Sequence, residues 1–140
     1  MSIVLSAGLL DSIRRHGCAD YPQECCGLLL GHAHGENRRV TELRRMGNSL
    51  DESRHRRYLI SPDDMLGADK EARVRGLDIL GVYHSHPDHP ARPSEFDRDH
   101  ALPWYSYIIL NVNHGEPGDL ASWRLREDRS SFEQEELIWE

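Results

Sequence analysis

The sequence predicts an α/β domain built as a mixed β-sheet sandwiched by helices. Three observations predict it. Short apolar runs are interspersed with capped helical stretches, an order that suits a layered α/β fold. The strongest runs, CCGLLLG at 25–31 and LDILGVYH at 77–84, have the near-continuous hydrophobicity of strands covered on both faces. With 140 residues, the chain suffices for one core and not for two, so residues 1–140 are read as a single domain.

Each element has its own signal. Ser6 caps a first helix that carries Leu9, Leu10 and Ile13 on one face, with Gly17 as its stop. The strand at 25–31 follows, bounded by Pro22 and Gly31, and RVTEL (39–43) and RYLI (57–60) read as further short strands. SPDDMLGADKEARVRG has a serine cap, a first-turn proline, early aspartates and late arginines, the charge order that a helix dipole favours, with Gly76 ending it. LDILGVYH then runs into a histidine cluster, where Pro87, which has no N–H for a central ladder, marks the exit from the sheet. A short helix from Ser94 to about Leu102, a strand YSYIILNV and an alternating strand LASWRLR complete the core. The tail SFEQEELIWE suits either a strand or a helix.

Composition removes several function classes. The net charge is −7, with 24 acidic residues against 17 basic ones, which argues against a general affinity for nucleic-acid backbone. The charge is nonetheless segregated. Arg38, Arg39, Arg44, Arg45, Arg54, Arg56 and Arg57 form a basic middle, and the tail from Glu127 to Glu140, with Glu133, Glu135 and Glu136, is acidic. These are two solvated faces, or the middle is a docking surface for an acidic partner. The three cysteines are odd in number and Cys25 and Cys26 are adjacent, so no disulfide framework is implied. The N-terminus lacks a basic leader and meets Asp11 early, resembling neither a signal peptide nor a membrane span. A reducing cytoplasm is the expected location.

The chemistry concentrates in HSHPDHPARPSEFD, residues 84–97. On a strand, residues two apart point to the same side, so His84 and His86 present their imidazoles to one point while Ser85 faces away. Asp97, returned by the loop DHPARP to the start of the next helix, is the candidate third ligand, and Ser94 shares its helical face. Two histidines and a carboxylate leave a fourth position open, the arrangement of a hydrolytic zinc site, with manganese, iron and cobalt as alternatives. Such a site needs a carboxylate that carries protons without binding the metal. Glu24 is the candidate, an acid placed directly before a buried apolar strand.

Taken together, Glu24 ahead of a Cys-Gly-Leu strand, then His84-Ser85-His86-Pro87, six residues, Ser94, two residues and Asp97 resembles the JAMM motif of the MPN-domain metalloproteases. Every motif position is filled, and the similarity in element order extends to about Arg126. The resemblance implies a cytidine-deaminase-like fold, Zn2+ on His84, His86 and Asp97, Glu24 as general base and then acid, and Ser94 as an oxyanion donor. It also implies a peptidase or isopeptidase that cleaves after the terminal glycine of a ubiquitin-like or sulfur-carrier protein with a Gly-Gly tail. The chain looks like the minimal prokaryotic form of that family.

Other readings account for parts of the pattern. Ser94 and Asp97 also form a helix capping box, a role compatible with catalysis because a capping hydroxyl accepts a bond and keeps its own proton to donate. Cys25 or Cys26 with a histidine would make a thiol hydrolase. A scaffold of the same fold would have no need of the ligands, and a metal-binding interaction module would need the ligands without Glu24.

Overall fold

The computed structural model describes residues 1–48 and 58–140. Its seven strands are β1 (Ser2–Leu5), β2 (Cys26–His34), β3 (Asn37–Met46), β4 (Asp78–Pro87), β5 (Ser106–Asn113), β6 (Glu116–Leu125) and β7 (Phe132–Trp139). The helices are α1 (Ala7–Asp20), α2 (Pro62–Val74) and α3 (Glu95–His100). The strands form one mixed sheet in the order β1-β3-β2-β4-β5-β6-β7 that closes on itself, because β1 pairs in parallel with both β3 and β7. Closure is the first departure from the expected layered sheet. It depends on the four residues Ser2–Leu5, which read in the sequence only as a short apolar run before the first helix.

Both faces of the sheet are covered, as the continuous apolar runs require. One core cluster joins Leu10 and Ile13 of α1 to Leu29, Tyr83, Ile108 and Leu110. A second joins Ala68 and Ala72 of α2 to Leu28, Val82 and Tyr107. Adjacent residues of β4 therefore serve opposite cores, Val82 one and Tyr83 the other, which is the period-two alternation of a strand.

Several boundaries differ from the expectations, for reasons of packing. α1 does not stop at Gly17 but continues to Asp20. A Cβ at Gly17 would lie 2.7 Å from Leu110 Cδ2 and 3.4 Å from Ser85 Cβ, so this glycine is there to let helix and sheet touch. α2 follows its signals, with the Ser61 hydroxyl accepting from Asp64 N and Gly76 at φ +70° beyond its end. Tyr58–Ile60 of the expected strand RYLI is not strand; it packs against the second core cluster, and Arg57 lies outside the described residues. The tail is a strand, β7.

The expected basic middle divides: among its described arginines Arg45 is exposed and the others have internal partners. Arg38 is buried, donating to Leu80 O and to Ser106 Oγ, while Arg39 pairs with Glu140 and Arg44 with Glu71. Arg54, Arg56 and Arg57 lie outside the described residues. Among the described residues, no helix is long and apolar enough to cross a membrane.

Candidate metal centre and catalytic site

The site forms at the C-terminal end of β4, where the strand lies between antiparallel β2 and parallel β5. His84 and His86 point the same way, with ring centroids 5.0 Å apart. Ser85 points to the opposite face, against Gly17 of α1. There the Ser85 hydroxyl accepts from Cys25 N at 2.9 Å, and Ser85 N donates to Cys25 O at 3.2 Å. This reciprocal pair ties the residue after Glu24 to the residue between the two histidines, and so brings a distant carboxylate to the cluster. Glu24 Oε1 lies 3.5 Å from His84 Nδ1.

Asp97 arrives from α3. The Ser94 hydroxyl accepts from Asp97 N at 3.0 Å and Asp97 Oδ2 accepts from Ser94 N at 2.9 Å, the complete capping box. Held in this way, the Asp97 carboxylate lies 3.1 Å from His86 Nε2 and 3.8 Å from His84 Nε2. His86 Nδ1 is 2.8 Å from Pro90 O, and donating to that carbonyl leaves the Nε2 lone pair facing the cluster. Of the five sequence-derived residues, Glu24, His84, His86 and Asp97 converge as buried groups, with Ser94 at their exposed edge.

Glu24, His84 and His86 each offer an atom within 4.8 Å of the others, a spacing that a single metal ion can span. Glu24 Oε1 and both ring nitrogens of His84 are buried without hydrogen-bond partners. Leaving such groups unsatisfied costs roughly 1–3 kcal/mol each, so a fold that retains several at one point is shaped to receive something there. Two imidazoles beside two carboxylates are donors for a divalent transition metal.

The electrostatics agree with that reading. Burial pushes the Asp97 carboxyl up, but the His84 charge, the His86 hydrogen bond and the Ser94 N–H outweigh it and hold the group well below the usual carboxylate range. Burial lowers the basicity of His86, yet its bond to Asp97 prevails and the net direction is up. Cys25 and Cys26 are pushed up to about 12 by burial. Both thiols stay protonated at neutral pH, which removes the thiol-hydrolase reading.

Two contributors have weak or no sequence signals. Ser85 was expected only to face away; a hydroxyl pointing into a core between two site residues is itself a sign that a backbone group waits for it. Tyr58 stacks on His84, with centroids 4.2 Å apart and planes 27° from parallel, from a segment with no motif relation to the histidines. His89 and His100 are exposed, as expected for loop and surface residues.

Residues 6–126 match the model of a family described as prokaryotic homologs of the JAB domain. A desampylase of Haloferax volcanii is 34% identical over 112 residues, covering 76% of this chain and 78% of that protein. A probable TtuB-protein conjugate cleaving protease of Thermus thermophilus is 35% identical over 106 residues, covering 76% of this chain and 68% of its own length. The solution structure of a protein from Desulfitobacterium hafniense superposes with a TM-score of 0.85 at 32% identity, covering 99% of this chain and 92% of the other. With a family model spanning most of its length and relatives above 30% identity, the chain belongs to the family of prokaryotic homologs of the JAB domain.

Proposed function

We propose that the chain is a zinc-dependent isopeptidase in which His84, His86 and Asp97 hold the metal, Glu24 moves protons and Ser94 donates to the oxyanion. It is a hydrolase acting on conjugates of ubiquitin-like or sulfur-carrier proteins, and the bond cut follows the terminal glycine of a Gly-Gly tail. The observation that carries the assignment is that Glu24, His84 and His86 lie within the span of one ion, with Asp97 3.8 Å and 3.1 Å from the His84 and His86 Nε2 atoms, and that Glu24 Oε1 and both His84 nitrogens are unpartnered.

Zinc bound there supplies Lewis acidity for water and for the scissile carbonyl. Glu24, 3.5 Å from a ring nitrogen of His84 and outside the Asp97 capping box, is free to accept a proton from attacking water and return it to the leaving amine. The Ser94 hydroxyl accepts from Asp97 N and keeps its O–H for the developing oxyanion. Pro90 O fixes His86 in one tautomer. The free cysteines fit a reducing, cytoplasmic setting.

Glu24→Gln is expected to bind zinc at the wild-type stoichiometry while turnover on a carrier fusion falls by about 10²–10⁴-fold. Metal analysis and mass spectrometry of the cleaved fusion read the two effects separately. Normal turnover in that variant would refute the assignment, whereas loss of zinc would make Glu24 a ligand.

A further inference from the structure

Most arginines among the described residues are committed to internal acceptors. Arg38 is bound by carbonyls and a hydroxyl; Arg39, Arg44, Arg73, Arg75, Arg124 and Arg126 are ion-paired; Arg129 caps carbonyls at the end of α3. Of the remaining arginines among the described residues, Arg15, Arg45, Arg92 and Arg98 have no ion pair, and the last two border the cavities at the site. Neither guanidinium has an ionic partner among the described residues, and both lie beside the reaction centre.

A cavity of about 260 Å³ contains Glu24, His86 and His89, and one of its walls is Arg92 with Ser94. The same two residues border an adjoining groove of about 320 Å³ whose other sides include Arg98, Trp123 and Phe132. The loop between the two is built rather than loose. Trp123 Nε1 donates to Ala91 O at 3.0 Å, and the buried Asn111 amide donates to His89 O at 2.5 Å. Glu95 reaches the groove but pairs with neither arginine, so two cations there face one anion.

We propose that Arg92 and Arg98 form a subsite for a carboxylate carried by the leaving fragment. The inference rests on the proton-carrying role given to Glu24. The leaving amine must come within reach of Glu24, so it occupies the cavity whose wall is Arg92. Substituents on the carbon bearing that amine project along this wall toward Arg98, and the Trp123 and Phe132 rings cover the hydrocarbon part of the fragment. Guanidinium donors in this position recognise a carboxylate by charge-assisted hydrogen bonds. The carboxylate has two sources, the free terminus of a single departing amino acid or an acidic side chain beside a modified lysine.

The test uses matched peptides. One pair ends in Gly-Gly-Ala as free acid or as carboxamide; the other carries a Gly-Gly isopeptide on lysine flanked by Glu or by Gln. Binding is measured on zinc-loaded Glu24→Gln protein, where no turnover interferes, and kcat/KM on the wild type. In at least one pair the acid should bind about tenfold more tightly than its neutral twin. The pair that responds identifies the source. Arg92→Gln and Arg98→Gln should each shrink the gap without weakening the neutral peptide, and Arg98→Lys should restore part of it.

Equal binding of both pairs, a gap that survives the double Gln variant, or a gap seen only with an acid placed ahead of Gly-Gly would overturn the subsite. Cleavage without acid preference removes the subsite and leaves the proposed function standing. Acid preference in binding with no cleavage of any peptide by the zinc-loaded wild type does the reverse.

Discussion

The two ends of β4 both bury charge, and they treat it in opposite ways. At the N-terminal end, Arg38 donates to Leu80 O, Ser106 Oγ and Trp104 O and lies 4.2 Å from the Trp104 ring. Nearby in the same closed sheet, Glu135 accepts from Ser122 Oγ at 2.8 Å and pairs with Arg124. Arg38 Nε, Arg124 Nε and Glu135 Oε2 lack hydrogen bonds, but the terminal nitrogens hold each guanidinium and the Arg124 charge faces Glu135. At the C-terminal end, Glu24 and His84 have buried atoms facing one another with no bond between them. The first end meets each buried charge with an opposite charge or carbonyls of the same fold and serves stability. The second leaves buried groups of one cluster unpartnered, which is why the metal site is proposed there.

That difference is broken most decisively by substituting one residue at each end. His86→Ala should abolish zinc uptake and turnover, while leaving a folded protein by circular dichroism. Glu135→Ala should do the converse. It takes the carboxylate from the Arg124 guanidinium, leaving only Glu36 O as its acceptor among the described residues, and should cost roughly 3–5 kcal/mol in urea unfolding, yet leave zinc stoichiometry unchanged. If Glu135→Ala lost the metal as selectively as His86→Ala, the two ends would not be independent.

A smaller effect sharpens the picture at the metal end. His86 is oriented by Pro90 O, but His84 has no hydrogen bond at either nitrogen, so the Tyr58 ring is the contact that sets its plane. Tyr58→Ala should weaken zinc about 10–100-fold in competition with a chromophoric chelator, and Tyr58→Phe, which keeps the stack, should not.

The smallest effect is a pH dependence. Asp97 is held below its ordinary value of 3.8, so its contribution is present above that value and is lost as pH falls toward the depressed one. His86 is raised above 6.5, so in metal-free protein its contribution is present below 6.5 and is lost as pH rises through the raised value. In the proposed site, zinc on His86 would take the place of that proton. The gap in melting temperature between zinc-loaded and metal-free protein should therefore widen from about pH 6 to pH 8. A gap that narrows over that range would mean that His86 is not a ligand.

Local chemistry made much of this molecule legible. Ser61-Pro62 and Ser94 announce their helices because caps act within a turn. The spacing of His84, His86 and Asp97 announces a cluster because strand alternation and a capping box are short-range geometry. Gly17 was misread because a stop signal and a close-packing contact use the same residue type, and only Leu110, far along the chain, distinguishes them. Within the basic middle, Arg38 could not be told from its neighbours for a similar reason. Arg38 differs from its neighbours in burial, which depends on β4 and β5 and not on adjacent residues.

The sequence by itself determined the helix caps, the apolar strands, the candidate ligand types and the family. Those follow from interactions among residues a few positions apart, whose geometry the backbone supplies. Only the tertiary structure decided that Ser2–Leu5 closes the sheet, that Ser85 clamps the Glu24 segment, that Tyr58 stacks on His84 and that Arg92 and Arg98 lie beside the site with no ionic partner among the described residues. Each is a contact between segments distant in the chain, and its energy exists only after the whole core has folded to bring the partners together.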